Sequence, residues 1–84
     1  MERLTVKSGD RYTVSPEDME KAMERLARFE DLTEGLAREQ EEIARTLEEL
    51  RVQGKEKTVQ FKELLARKLV NNNLRMAMER YGLW

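Results

Sequence analysis

The sequence contains no cysteine and no histidine, and only one proline and five aromatic residues. The chain therefore has no thiol nucleophile, no thiolate or imidazole ligand for a metal, and no histidine for acid–base catalysis. Only oxygen ligands remain for a hard cation. These absences exclude most classes of enzyme, so we expect a protein that is not an enzyme and that holds no cofactor.

Long apolar runs are also missing. No stretch approaches the roughly 20 residues that a helix needs to span a bilayer. The first five residues lack the apolar core of a signal peptide. We therefore expect a cytoplasmic protein without a membrane partner.

The chain is short, with 84 residues. A domain of this size buries only about 60–65% of the surface that its unfolded form exposes. Because no disulfide or thiolate metal site can reinforce such a core, association is the remaining route to stability. We expect one domain spanning residues 1–84 that associates with copies of itself.

The pattern of residues 1–14 predicts a short β-hairpin. Apolar and polar side chains alternate on either side of Ser8-Gly9-Asp10. A three-residue loop would pair Val6 with Tyr12 and place the large apolar side chains on one face, whereas a two-residue loop would mix the faces. We expect the three-residue loop, and we expect the hairpin to dock on a helix or on a partner because an isolated hairpin is barely stable.

A long helix is predicted over residues 16–52. Ser15 suits the capping position, Pro16 the first helical position, and the following carboxylates a capping box. Apolar residues then recur at steps of three and four without a change of phase, and Thr33 and Gln40 complete a coiled-coil-like heptad register. Apolar residues at a flanking position widen the stripe and favour a bundle of three or more helices. The predicted oligomer seam consists of Met19, Leu26, Phe29, Leu36, Gln40, Ile43, Leu47, Leu50, Phe61, Leu65 and Leu69.

The length of this helix bears on association. At 1.5 Å per residue, residues 16–52 would extend about 55 Å, whereas a compact chain of this size is only about 30 Å across. A monomer would therefore leave part of the apolar stripe uncovered. Gly35 leaves a break of the helix open as an alternative, although the unbroken phase favours continuity.

The remaining third of the chain predicts a turn and further helix. Residues 53–57 contain glycine and no apolar residue, which predicts a reversal, and Thr58 can cap a helix over residues 58–81. The apolar pattern changes sides at Asn71-Asn72-Asn73, so this helix either breaks there into two or continues and is buried on both sides between subunits. Gly82 suits a Schellman motif, and we expect Trp84 to dock on the bundle or on a partner.

Polar clusters offer weaker signals. Glu41, Glu42, Glu48 and Glu49 lie mostly at outward heptad positions, which favours a solvated helix face over a metal site. Gln40 lies in the seam, where a buried amide can determine register and oligomer number, although a hydrated seam is the simpler interpretation.

Charge is distributed unevenly along the chain. Residues 1–50 carry 14 acidic and 8 basic side chains, whereas residues 51–84 carry 3 and 8. The basic region suggests nucleic-acid binding as an alternative function, but its side chains are scattered around the helix, and the acidic long helix offers a nearer counter-charge. The candidate nucleic-acid contacts are Lys55, Lys57, Lys62, Arg67 and Lys68.

The motifs Glu2-Arg3-Leu4-Thr5, Tyr12 and Arg25-Leu26-Ala27-Arg28-Phe29-Glu30-Asp31 resemble small uncharacterised proteins of bacterial prophages and other mobile elements. Such proteins open with a hairpin and an Arg-Leu-Ala-aromatic-Glu-Asp helix. The similarity covers about the first third of the chain. It implies a mobile-element setting and supplies no catalytic residue.

Together these patterns predict a mainly α protein. A long amphipathic helix and one or two C-terminal helices would form an oligomeric helical bundle with a short N-terminal β-hairpin. The expected partner is the chain itself, as a dimer or a higher oligomer, with another helical protein as the alternative. We therefore expect a non-enzymatic oligomerisation or interaction protein.

Overall fold

The computed structural model describes all 84 residues and confirms a mainly helical fold with an N-terminal hairpin. The elements in chain order are β1 (Thr5–Ser8), β2 (Arg11–Val14), a 3-10 turn at Pro16–Asp18, α1 (Met19–Val52) and α2 (Val59–Arg80). Neither helix contains a segment with the length and apolar character needed to cross a membrane.

The chain forms two compact units, Met1–Leu32 and Thr33–Trp84. The first contains the β-hairpin and the N-terminal part of α1. The second contains the remainder of α1, the connecting loop and α2. A single domain over residues 1–84 stays a prediction.

The β-hairpin corrects the predicted register. The strands are antiparallel, and Ser8 pairs with Arg11 and Val6 with Thr13, which leaves a two-residue loop. Gly9 at the first loop position has φ 62°, as a type II′ turn requires, whereas Asp10 does not have positive φ. Turn geometry therefore determined the register, because neither face of the ribbon is buried strongly enough to impose one.

The start of the long helix also differs from the prediction. Helical structure begins at Pro16, but the first three residues form a 3-10 turn, and the α-helix begins at Met19. The Ser15 side chain makes no capping hydrogen bond; instead its carbonyl oxygen accepts the Asp18 backbone N–H at 2.9 Å. The capping-box prediction is wrong because this turn satisfies the helix start through its own backbone.

Helix α1 runs through Gly35 without interruption. Its 34 residues agree with the unbroken heptad phase, which an intervening loop would have reset. The helix ends in a Schellman motif. The Lys55 N–H donates to the Leu50 carbonyl oxygen at 2.8 Å, and Gly54 adopts the left-handed conformation with φ 71°.

Helix α2 starts and ends as its sequence predicts. The Thr58 hydroxyl accepts the Phe61 N–H at 3.3 Å and so caps the N-terminus. A second Schellman motif closes the helix at Gly82, where the Leu83 N–H donates to the Met78 carbonyl oxygen at 2.9 Å. No break occurs at Asn71-Asn72-Asn73, so α2 continues as one helix, and its burial between subunits stays a prediction.

Candidate interaction surfaces

The hydrophobic core lies within the Thr33–Trp84 unit, between α1 and α2. It consists of the buried side chains of Ile43, Leu47, Leu50 and Phe61, with Leu64 packed against them. The Arg51 guanidinium lies over the Phe61 ring at 5.6 Å from its centroid. This part of the predicted seam is therefore covered by the chain's own α2, which the expectation of an intermolecular seam did not anticipate.

A polar layer continues this core. We use that term for Gln40, Asn71 and Asn72. The Asn71 amide donates to Gln40 Oε1 at 3.1 Å, and Gln40 Nε2 donates to Asn72 Oδ1 at 2.9 Å and to the Lys68 carbonyl oxygen at 3.3 Å. Asn71 is only 7% exposed. Burial is tolerated because both atoms of the Gln40 amide and the Asn71 donor have partners.

Gln40 was predicted from its position in the seam, whereas its partners Asn71 and Asn72 were not predicted. The asparagine run was interpreted either as a break in α2 or as part of a continuous helix. The available signal was spacing, since Phe61, Leu64, Lys68 and Asn71 follow steps of three and four, as one helix face requires. Asn71 therefore lies on the face that meets α1.

The predicted oligomer-seam residues of α2 differ in their exposure, and their role in an oligomer stays a prediction. Phe61 is buried, whereas Leu65 and Leu69 are exposed. Apolar residues occur on several sides of α2, so its pattern does not define a single inner face. The side that packs on α1 is the one that brings Phe61 and Leu64 to the core and Asn71 to Gln40.

A first uncovered surface lies on α1 in the Met1–Leu32 unit. Met19, Met23 and Leu26, which we call the α1 stripe, share one helix face at steps of four and three. Their exposed fractions are 50%, 61% and 59%. Of the predicted seam residues in this unit, Phe29 alone is half-buried. The N-terminal part of the predicted seam thus has no cover in this unit.

The β-hairpin belongs to the same unit and contributes two contacts. The Arg25 side chain donates to the Glu2 carbonyl oxygen at 2.6 Å, and the Arg3 guanidinium lies over the Tyr12 ring at 5.6 Å. Val6 and Tyr12 are both more than half exposed. In the observed register they lie on opposite faces of the ribbon, because Tyr12 pairs with Lys7 and Val6 with Thr13.

A second uncovered surface lies on the Thr33–Trp84 unit. A groove of about 320 Å³ lies beside the polar layer. It is lined by Leu36, Ala37, Gln40, Glu41, Ala44, Asn71, Asn72, Arg75 and Trp84. The Arg75 guanidinium lies over the Trp84 ring at 5.1 Å from its centroid, so Trp84 lies against α2. Small side chains at two α1 positions leave this side open.

Exposed apolar residues of α2 adjoin that groove. Leu65, Leu69 and Met76, which we call the α2 stripe, are 37%, 57% and 55% exposed. Their spacing places them on one face of α2 together with Asn72, which lines the groove. The groove and the α2 stripe therefore form one continuous surface. A separate exposed patch of Val70, Leu74 and Tyr81 lies nearly on the opposite side of α2.

The candidate nucleic-acid residues are not assembled into one patch. Arg67 forms an ion pair with Glu39 at 3.4 Å. Lys68 is half-buried, and its carbonyl oxygen accepts a hydrogen bond from Gln40. The side chains of Lys55, Lys57 and Lys62 are exposed. The acidic residues of α1 likewise form no group of three or more that could hold a metal ion.

Comparison with known proteins found no relative of this chain. No protein-family model, no curated protein and no solved structure matches this chain. The resemblance of the first third to prophage proteins therefore rests on its sequence motifs alone and stays a prediction.

Proposed function

We propose that this chain is a non-enzymatic helical interaction protein that associates with copies of itself. The observation that supports this is the α1 stripe. The same seam that α2 covers from Leu36 to Leu50 is exposed from Met19 to Leu26. Exposed methionine and leucine side chains in a row on one helix face are typical of a surface that a further helix covers.

The magnitude of this surface limits what it can do alone. Full burial of a large apolar side chain contributes about 1.5–3 kcal/mol. Three side chains, each about half exposed, would then contribute about 4 kcal/mol per copy, or about 8 kcal/mol for two stripes. Association itself costs about 4–15 kcal/mol. Contact between two stripes alone would thus give at most a weak dimer, and a stable one has to bury a second surface.

The test is the mass of the protein in solution. Sedimentation equilibrium from about 1 to 100 µM should give a dimer or a larger species; this range covers dissociation constants that correspond to about −8 to −5.5 kcal/mol. Leu26→Asp should shift the mass toward the monomer, since it places an unpaired charge in the α1 stripe, which association would cover. Val59→Asp is the matched control, because Val59 is exposed but lies in neither stripe. A monomeric wild-type chain throughout this range would refute the proposal.

The other proposed attributes follow from the sequence. We also propose a cytoplasmic location and a mobile-element setting, and the motifs of the first third of the chain support the latter. No structural observation favours nucleic-acid binding, since Arg67 is paired with Glu39 and the exposed lysines are scattered. A salt-dependent mobility shift of DNA or RNA that Lys62→Glu abolishes would reverse that preference.

A further inference from the structure

We infer that the α1 stripe of one copy docks on the groove and α2 stripe of a second copy, and that the reverse contact closes a symmetric dimer. This inference rests on the proposed self-association. It adds which two surfaces meet.

The shapes of the two surfaces suit each other. The groove side of α1 carries Ala37 and Ala44, whereas the α1 stripe carries long, flexible methionine side chains. Small residues opposite large ones let facing helices interdigitate. Methionine in particular adapts to irregular gaps, so Met19 and Met23 can fill a groove of this kind.

Charge favours contact between unlike surfaces. Residues 16–32 carry six acidic and three basic side chains, whereas α2 carries two acidic and five basic side chains. Pairing the α1 stripe with another α1 stripe would bring together two negatively charged segments, whereas pairing it with α2 brings together opposite charges.

The charged residues nearest the stripes follow the same rule. Three basic residues and one acidic residue lie one turn from the α2 stripe, namely Lys62, Lys68, Arg80 and Glu79, so that flank is positive on balance, whereas the charged residues one turn from the α1 stripe are Glu20 and Glu30. The groove contains one acidic and one basic side chain, Glu41 and Arg75, so its lining contributes no net charge. The charge preference therefore comes from the flanks of α2.

Reciprocity supplies the second surface that a stable dimer needs. Each chain carries both surfaces, so a twofold axis would form the contact twice and cover the stripes of both copies. Two contacts bury the α1 and α2 stripes together, which roughly doubles the apolar area of a contact between α1 stripes alone. A single unreciprocated contact would leave one surface of each kind free for further chains.

Complementation tests the pairing directly. Leu26→Asp damages the α1 stripe and Leu69→Asp the α2 stripe, and both residues are more than half exposed, so neither substitution should unfold the helices. Each variant alone places a charge in both contacts, and we expect it to raise the dimer dissociation constant by at least about 100-fold. An equimolar mixture retains one contact with two intact surfaces. The mixture should therefore dimerise measurably better than either variant alone. If the dimer formed instead through contact between two α1 stripes, the Leu69→Asp variant would remain fully dimeric.

Cross-linking provides an independent measurement. The chain has no cysteine, so a tagged Leu26→Cys chain can be mixed with an untagged Leu69→Cys chain under mild oxidation. We expect the mixed 26–69 disulfide to predominate, because a disulfide requires Cα atoms within about 7 Å. Far-UV circular dichroism of every variant verifies that helical content is retained. The Val59→Cys chain is the matched control and should not cross-link to Leu26→Cys.

The outcomes separate the inference from the proposal on which it rests. A wild-type monomer at all concentrations would overturn both. A wild-type dimer that forms 26–26 disulfides, or whose variants do not complement, would overturn the inference and leave self-association standing. Helical Leu26→Asp and Leu69→Asp chains that complement, together with 26–69 disulfides, would support it.

Discussion

The polar layer can be tested by replacing its central amide. Gln40→Ala removes three hydrogen bonds, two donated by Gln40 Nε2 and one accepted by its Oε1. It also leaves the Asn71 amide, in a side chain only 7% exposed, without its acceptor. Each hydrogen bond contributes about 0.5–1.5 kcal/mol net, and a buried unpaired group costs about 1–3 kcal/mol.

The magnitude expected for Gln40→Ala follows from these contributions. Because Gln40 is only half-buried, water replaces some of the lost partners, and we expect a loss of about 2 kcal/mol in the free energy of unfolding. Asn71→Ala loses one bond and should cost about 1–2 kcal/mol. Since both substitutions remove the same bond, the double variant should be more stable than additivity predicts by about 1 kcal/mol.

The assay is urea unfolding followed by far-UV circular dichroism. All variants should be measured at one protein concentration, because self-association makes apparent stability depend on concentration. Gln60→Ala is a matched control, since Gln60 is an exposed amide on α2 and should change stability by less than about 0.5 kcal/mol. Additive single effects, or a Gln40→Ala loss no larger than that of the control, would refute a hydrogen-bonded layer between α1 and α2.

Two further pairs of substitutions test the core and the glycines by the same unfolding assay. Leu47 is 3% exposed and lies in the core, so Leu47→Ala should cost about 2–5 kcal/mol, whereas Leu74→Ala, at a half-exposed site, should cost under about 1.5 kcal/mol. Equal losses would contradict the burial of Leu47 in the core or the outward placement of Leu74 on α2. Gly35→Ala should stabilise the protein by about 0.5–1 kcal/mol, because an added Cβ meets nothing within 4 Å inside a continuous helix. Gly54→Ala should instead destabilise by about 1–2 kcal/mol, because its φ of 71° is left-handed; the same sign for both would contradict one of the two assigned backbone conformations.

Local features of α2 and of the loop before it were predictable from the sequence. Thr58 as a cap and Gly82 as the left-handed residue of a Schellman motif depend on hydrogen bonds within a few residues. The continuity of α1 was predictable for a related reason, since its heptad phase persists through Gly35. Such signals need no knowledge of distant contacts.

The hairpin shows where two local signals conflict. The apolar pattern favoured a three-residue loop, whereas the structure has a two-residue loop with Gly9 in the left-handed region. The alternation of apolar and polar residues specifies the register of two strands only where one face of the sheet is buried. Because the ribbon leaves Val6 and Tyr12 exposed, the turn decided the register.

The sequence by itself thus determined the class of fold, the ends of α2 and the apolar seam of α1, because each follows from spacing and from backbone conformation. Only the tertiary structure decided which side of α2 meets that seam. The apolar residues of α2 lie on several of its sides, so burial of apolar side chains alone does not select the face that meets α1. Pairing with Gln40 does, since another face of α2 would leave the Gln40 amide in the seam without Asn71 and Asn72, at a cost of about 1–3 kcal/mol.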